Sequence, residues 1–137
     1  MEKQQTIRTR DVMKHHFDMV EGTDTVKSAL QKMEHQDSHI LIINKRNDDD
    51  EYGLVLLADI AKKVIARDRS PERVNLYEIM SKPVISVRAD MDIRYCARLF
   101  NQFGLSVAPV VDGDSGKLIG TVSYNDIVLK GLVKLID

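Results

Sequence analysis

Cysteine is almost missing from this chain of 137 residues, in which Cys96 is the only one. An internal disulfide is therefore impossible, and a zinc site built on several cysteines is excluded. Long apolar runs are also missing, because no stretch approaches the roughly 20 residues that a membrane-spanning helix needs. Residues 1–10 are polar and lack the apolar core of a secretory signal, so we expect a cytoplasmic protein.

An excess of charge of one sign is lacking as well. The 20 Lys and Arg residues nearly balance the 21 Asp and Glu residues, which gives a net charge of −1 at pH 7. This balance gives no electrostatic reason to expect a nucleic acid or an anionic membrane as a partner. Hydrophobic residues make up 43% of the chain and charged residues 30%, which is typical of a soluble globular domain.

The sequence does contain an internal repeat with a constant offset of 67 residues. This offset relates Gly53 to Gly120 and Asp59 to Asp126, and no insertion is needed between the pairs. Because a fixed period over a whole chain indicates repeated structural units, the sequence predicts two copies of one unit.

Each copy predicts the element order β-α-β-β-α. Apolar residues at i, i+4 and i+7 predict an amphipathic helix in each copy, formed by Val26, Leu30 and Met33 and by Ile93, Ala97 and Phe100. Short apolar or β-branched runs predict strands at 18–20, 39–44 and 52–56, and again at 84–87, 106–112 and 118–123. A final helix is predicted to begin near Ala58 and near Tyr124.

These elements divide the chain into a first repeat at 1–68, a polar linker at 69–75 and a second repeat at 76–137. Three short strands in one copy would leave a sheet face poorly covered, so the pair is the expected folding unit. The predicted fold class is α/β (α+β), with two βαββα repeats packed sheet to sheet in pseudo-two-fold symmetry.

The second copy carries a recognisable motif. Residues 105–128, LSVAPVVDGDSGKLIGTVSYNDIV, combine an APVVD strand, a small turn, Gly120 and the step Ser123-x-x-Asp126 into a helix. This stretch resembles the diagnostic half of a CBS domain, a family named after cystathionine β-synthase. The first copy resembles the same pattern more loosely, with HILIIN at 39–44 and with Asp59 retained. Over nearly its whole length the chain is similar to a tandem CBS pair.

The resemblance implies a non-catalytic regulatory module that binds an adenine nucleotide, AMP, ADP or ATP, in a cleft between the repeats, with no metal. A carboxylate at Asp126 can accept hydrogen bonds from both ribose hydroxyls, and the helix N-terminus beside Ser123 favours a phosphate. Ser123-x-x-Asp126 is also an ordinary N-terminal capping pattern, and the two interpretations are compatible. The positions that match the family's main site are Thr121, Ser123, Asp126, Asp18, Ser38 and His39.

The first copy departs from the motif, because Leu56 occupies the position that corresponds to Ser123. A leucine can neither cap a helix nor donate a hydrogen bond to a phosphate. A second site around Asp59, Leu105 and Ser106 is therefore expected to be weaker or empty, which leaves one strong site per chain.

Other functions stay open at this point. The alternatives are a structural dimerisation module with decayed ligand sites and a module that binds S-adenosylmethionine or NAD. We expect no enzyme, since the sequence shows no catalytic triad, Cys-His pair or paired catalytic carboxylates. The last helix has more apolar residues than one packing stripe can absorb, which predicts a homodimer. The histidines, His15, His16, His35 and His39, are predicted to be solvated or packed rather than metal ligands. The acidic run 48–51 is predicted to be a solvated hairpin tip rather than a calcium site.

Overall fold

The computed structural model describes residues 6–82 and 84–136. The outermost parts of the two predicted repeats, at 1–5 and 137, lie outside the described residues. The chain forms two compact units. The first-repeat unit comprises His16–Val84, and the second-repeat unit comprises Met1–His15 together with Ile85–Asp137.

The helices and strands follow the predicted order. Up to the middle of the chain they are α1 (Thr9–Val12), β1 (Met19–Val20), α2 (Val26–Lys32), β2 (Ile40–Ile43), β3 (Gly53–Leu56) and α3 (Leu57–Ile60). The remainder are β4 (Val87–Arg88), α4 (Ile93–Phe103), β5 (Val107–Val111), β6 (Leu118–Ser123), α5 (Tyr124–Asp126) and α6 (Val133–Ile136). Short 3₁₀ turns lie at Gln36–Ser38 and Leu76–Glu78, and π-helical turns at Ala61–Ile65 and Ile127–Leu132.

Each unit contains a three-stranded sheet of the same topology. In the first-repeat unit, β1 runs parallel to β2 after the crossover through α2, and β3 returns antiparallel to β2. The strands β4, β5 and β6 are arranged in the same way in the second-repeat unit. The predicted βαββα order and the mixed α and β class are therefore confirmed.

A side chain caps the N-terminus of the crossover helix in each unit. The Thr25 hydroxyl accepts a hydrogen bond from the Ser28 N–H at 3.1 Å, and the Asp92 carboxylate accepts one from the Arg94 N–H at 2.8 Å. Both side chains satisfy a backbone donor that the first turn of a helix leaves unpaired.

The predicted apolar stripe of the crossover helix is wrong at Leu30, whose side chain is 39% exposed. The buried side chains are instead Val26, Ala29 and Met33, at i, i+3 and i+7. Positions i+3 and i+4 lie on opposite sides of the stripe centre, because a helix turns every 3.6 residues. The small residue at i+3 lets the helix approach the sheet closely, and this leaves i+4 at the edge.

The second crossover helix buries the corresponding set, Ile93, Cys96 and Phe100. Cys96 is fully buried, and burial raises the pKa of its thiol to about 11. The thiol is thus neutral near pH 7, which is unsuited to a nucleophile.

The segment that leads into each repeat joins the unit of the other repeat. In the second-repeat unit the Thr9 N–H donates to the Met91 carbonyl at 2.7 Å, and the Arg10 N–H donates to the Ala89 carbonyl at 2.9 Å. The N–H of Ile93 completes the set by donating to the carbonyl of Ile7 at 2.9 Å. Residues 7–14 are therefore part of the fold around the second sheet.

The same three hydrogen bonds recur in the first-repeat unit at positions shifted by 67. Leu76 N–H donates to Asp24 O at 3.0 Å, Tyr77 N–H to Gly22 O at 3.0 Å, and Val26 N–H to Val74 O at 2.9 Å. The internal repeat thus extends to individual backbone hydrogen bonds, and each unit combines the body of one repeat with the lead-in segment of the other.

The last helical segment leaves several apolar side chains in solvent. The exposed ones are Val128, Leu129, Leu132, Val133 and Ile136, which we call the C-terminal apolar face. Leu135 packs against the core of the second-repeat unit instead. Within the described residues, none of the helices is both long enough and apolar enough to cross a membrane.

Candidate functional site

Ser123 and Asp126 bind each other where β6 ends and α5 begins. The Asp126 N–H donates to the Ser123 hydroxyl at 3.2 Å, and the Ser123 N–H donates to Asp126 Oδ2 at 3.0 Å. The Ser123 hydroxyl lies 3.0 Å from the same carboxylate oxygen. This reciprocal arrangement is a capping box, and it confirms the capping interpretation of the motif.

The other carboxylate oxygen of Asp126 is held by two lysines. Lys14 Nζ lies 2.9 Å from Oδ1, and Lys130 Nζ lies 3.5 Å from it. The Asp126 side chain is only 3% exposed, whereas that of Lys14 is 27% exposed. A buried carboxylate needs such a partner, because an unpaired charge away from water is costly.

The lead-in segment places Lys14 at this position. The Lys14 N–H donates to the Thr121 carbonyl at 2.8 Å, and the Thr121 N–H donates to the Lys14 carbonyl at 3.0 Å. A Cβ added at Gly120 would collide with that carbonyl oxygen of Lys14, so the close approach requires glycine. The sequence did not single out Lys14, because nothing in the repeat pattern tells which copy a lead-in segment joins.

The second-repeat unit thus brings together Thr121, Ser123 and Asp126, with Lys14 and Lys130 added. A buried carboxylate with two ammonium groups at the first turn of a helix can accept hydrogen bonds from hydroxyls and attract a phosphate. Thr121 is almost fully buried, between Gly120 and the core residue Val122.

The remaining predicted residues of the main site cluster in the first-repeat unit. The Asp18 carboxylate accepts hydrogen bonds from the N–H groups of Glu34 at 2.9 Å and His35 at 2.8 Å. The Ser38 hydroxyl donates to the His35 carbonyl at 2.8 Å. His39 is exposed and adopts a left-handed conformation with a φ of 62°. Asp18 and Ser38 therefore fix the turn before β2. That these residues and His39 form one ligand site with Ser123 and Asp126 stays a prediction.

Comparison with known proteins decides the family. The CBS domain model matches residues 10–66 and again residues 76–132, which together make up most of the chain. The chain belongs to the CBS domain family. The two matches also agree with the duplication that the sequence predicted.

Related proteins share both sequence and structure with this CBS pair. An uncharacterized protein of Methanopyrus kandleri is 34% identical over 114 residues, which are 81% of this chain and 57% of that protein. The chain therefore spans little more than half of this relative. The hexameric CBS-CP12 protein from bloom-forming cyanobacteria is 34% identical with a TM-score of 0.84, over 91% of this chain and 68% of that one.

Two more distant structures with the same fold contain ligands. The CBS domain pair of protein MJ0100, in complex with 5′-methylthioadenosine and S-adenosyl-L-methionine, has a TM-score of 0.76 at 21% identity. The match covers 95% of this chain and 99% of that one. The cytosolic domain of the Mg²⁺ channel MgtE, in complex with ATP, has a TM-score of 0.63 at 24% identity, over 85% and 46% of the two chains. At these identities the likeness shows the fold alone.

The first CBS repeat keeps only half of the capping box. The Leu56 N–H still donates to Asp59 Oδ2 at 3.1 Å, but the Leu56 side chain has no oxygen to accept the Asp59 N–H. The predicted weaker site places Asp59 in the first-repeat unit and Leu105 and Ser106 in the second-repeat unit. Whether it binds a ligand stays a prediction.

Replacing Leu56 with serine should therefore complete the capping box. We expect Leu56→Ser to be more stable than Leu56→Ala by about 1 kcal/mol, because both remove the partly buried leucine but only serine accepts a backbone N–H. The free energy of unfolding in urea measures the difference. Equal stabilities for the two variants would contradict the role of position 56 as an N-cap.

The histidines and the acidic run occupy different surroundings. His16 and His35 stack with ring centroids 5.3 Å apart, and the described residues contain no group of three or more potential metal ligands. The prediction of a solvated acidic tip at 48–51 is wrong at Asp50, which binds Lys82 and Arg46. The Lys82 ammonium, followed by the Arg46 backbone N–H, holds the pKa of Asp50 well below its usual range.

Proposed function

We propose that this CBS pair is a non-catalytic regulatory module of the cytoplasm that binds an adenine nucleotide, AMP, ADP or ATP. The observation that carries the proposal is the buried Asp126 carboxylate, held by Lys14 and Lys130 at the first turn of α5. The complexes of the MJ0100 pair with adenosyl ligands and of the MgtE domain with ATP support it at the level of the fold.

The ribose and the phosphate are assigned to different groups. An ionised carboxylate has about four acceptor positions, which in Asp126 face the Ser123 N–H, the Ser123 hydroxyl, Lys14 and Lys130. Two ribose hydroxyls would take the places of the Ser123 hydroxyl and Lys130, while the Ser123 N–H and Lys14 keep their bonds to Asp126. A phosphate would be held by the ammonium groups of Lys14 and Lys130, with the Ser123 hydroxyl beside them. Thr121, Asp18, Ser38 and His39 are proposed to complete this site, and Asp59, Leu105 and Ser106 to form the weaker one.

Thermal unfolding with millimolar AMP, ADP, ATP or S-adenosylmethionine tests this function. A ligand present at about 100 times its Kd should stabilise the protein by about 2.7 kcal/mol. Stabilisation by an adenine nucleotide supports the proposal, and a shift with S-adenosylmethionine alone would replace the nucleotide by that ligand. No shift with any of the four compounds would overturn it.

The second candidate function is a structural module whose ligand sites have decayed. It is favoured by the polar groups that the protein already satisfies internally, because both Asp126 oxygens and both Asp18 oxygens accept hydrogen bonds from the chain. Unfolding that no adenosyl compound affects, in a protein that self-associates, is the result that this candidate predicts.

Self-association is the second part of the proposal, in the form of a homodimer through the C-terminal apolar face. Replacing Leu132 and Ile136 together with aspartate should yield monomers, since two charges in an apolar interface would lose their hydration. Light scattering distinguishes a monomer of 15.6 kDa from larger particles. Ile65→Asp, at an exposed apolar residue of the first-repeat unit, is the control and should leave the mass unchanged. A monomeric unmodified protein at micromolar concentration would contradict the dimer.

A further inference from the structure

A cavity of about 480 Å³ lies in the first-repeat unit at the end of the sheet opposite Leu56 and Asp59. In the strand register Leu56 faces Ile40, whereas the cavity is at the other end, where Gly53 faces Ile43. Its volume is within the range of about 300–1,000 Å³ that is usual for small-molecule pockets. This position separates it from the first turn of α3, where the CBS motif places its carboxylate.

The floor of the cavity is apolar. It is formed by Ile43, Met80 and the ring side of Tyr77, with Gly22 between them. A Cβ at Gly22 would lie 3.4 Å from Tyr77 Cβ and 3.5 Å from Ile43 Cγ2, so glycine keeps the space beside the ring open. The Tyr77 side chain is largely exposed, and its face is therefore available to a flat apolar group.

One rim of the cavity is cationic. Lys82 and Arg46 both bind the carboxylate of Asp50, with Arg46 Nε 3.2 Å from Oδ2 and Lys82 Nζ on Oδ1. Asp50 thereby holds the two cations in place, and this trio retains one net positive charge. Arg46 uses only Nε for this contact among the described residues, so its terminal nitrogens can bind an anion.

The lining of the cavity also includes a single acid. Glu21 accepts a hydrogen bond from Asn44 Nδ2 at 3.1 Å, and both residues line the cavity. Counting Lys82, Arg46, Asp50 and Glu21, the charges around the cavity cancel, so the cavity has no net positive charge to hold a polyphosphate, which Glu21 would also repel. A single carboxylate can still bind the two cations directly.

The second-repeat unit shows that the CBS fold does not by itself create this cavity. The space at the corresponding place has a volume of only about 80 Å³. Arg88 and Asp90, which stand 67 residues after Glu21 and Thr23, form an ion pair with distances of 3.1 and 3.2 Å. The Arg88 guanidinium also packs over Gly113. In the second repeat this ion pair acts as a plug that fills the corresponding space. The cavity of the first repeat is open because Glu21 and Thr23 cannot form such a pair.

We infer that this cavity is a further ligand site, distinct from both proposed nucleotide sites, for a small aromatic monocarboxylate. The ring would lie on Tyr77, Ile43 and Met80, and the carboxylate would bind Lys82 and the terminal nitrogens of Arg46. The apolar floor accounts for the ring of such a molecule, and the cationic rim accounts for its carboxylate.

Phenylacetate is the probe, and phenylacetamide, which has the same shape without the charge, is the matched control. In ¹H–¹⁵N spectra of the protein, phenylacetate should shift the amide signals of residues 21–23, 43–46 and 77–82 in a saturable manner. Phenylacetamide should bind at least about tenfold more weakly, because it cannot form charge-assisted hydrogen bonds with the rim. Equal binding of the two compounds, or no saturable shift in these segments, would overturn the inference.

Two variants locate the ligand. Glu21→Arg combined with Thr23→Asp transplants the plug of the second repeat and should abolish phenylacetate binding. Lys82→Met should weaken it about tenfold, whereas Lys62→Met, which removes an exposed charge of the same unit, should not change it. Thermal unfolding verifies that each variant is folded. Unchanged affinity in the folded plug variant, or displacement of phenylacetate by AMP from these same amides, would refute a separate site.

Discussion

Asp126→Asn should lower the affinity for an adenine nucleotide by at least about a hundredfold. Two charge-assisted hydrogen bonds to the ribose contribute about 1.5–3 kcal/mol each, and an amide replaces one accepting oxygen by a donor and removes the charge. The two ammonium groups beside position 126 would also lose the anion that holds them in place. Calorimetric titration of the folded variant measures the effect.

The variant should also be less stable, because Lys14 would lose its partner in a largely buried pair. Lys14 is partly exposed, so we expect a loss of about 1–2 kcal/mol in the free energy of unfolding, below that for breaking a fully buried pair. The introduced amide would keep an oxygen for the Ser123 N–H, which makes this change milder than alanine.

Asp59→Asn is the matched control, since Asp59 occupies the same place in the first repeat but lacks the cap hydroxyl and is not bound by a lysine among the described residues. We expect it to leave tight binding unchanged. A folded Asp126→Asn protein with unaltered affinity, or equal losses in the two variants, would refute the assignment of the principal site.

The duplication was predictable in detail because it depends on spacing alone. With a constant offset of 67, the strands of one copy are expected to recur in the other, and they do so down to single hydrogen bonds such as Leu57 N–H to His39 O and Tyr124 N–H to Ser106 O. The cap before the last helix differs only where Leu56 replaces the hydroxyl of Ser123. The capping box could also be predicted from spacing, because its two partners lie only three residues apart in the sequence.

The exchange of the lead-in segments could not be predicted from spacing. A segment that joins its own copy and one that joins the other copy have the same offset and the same apolar pattern. The difference matters for the candidate site, because it decides which lysine reaches Asp126. Lys14 is 112 residues away along the chain, and only the fold brings the two together.

The cavity in the first-repeat unit could not be predicted from the sequence either, because residues far apart along the chain line it. Glu21, Arg46 and Tyr77 come from three separate segments, and none of them forms a motif with its neighbours. The sequence does show that Glu21 and Thr23 correspond to Arg88 and Asp90. It does not show that Arg88 fills the corresponding space in the second repeat, which only the structure reveals.

Gly120→Ala should destabilise the protein by about 3 kcal/mol, at the upper end of what overpacking costs. The added Cβ would collide with the backbone oxygen of Lys14, which cannot move freely because Lys14 forms two backbone hydrogen bonds with Thr121. Moving that segment would also withdraw Lys14 from Asp126, so nucleotide affinity should fall together with stability.

Gly53→Ala is the internal control, since Gly53 is the counterpart of Gly120 in the first repeat. There the added Cβ would lie 2.7 Å from Met80 Sδ and 3.1 Å from Ile43 Cβ. The Met80 side chain is flexible and can give way, and alanine also reduces the entropy of the unfolded chain, so we expect a loss of about 1 kcal/mol or less. Urea denaturation of both variants tests the difference. A loss for Gly53→Ala as large as that for Gly120→Ala would show that the backbone of Lys14 does not enforce glycine at position 120.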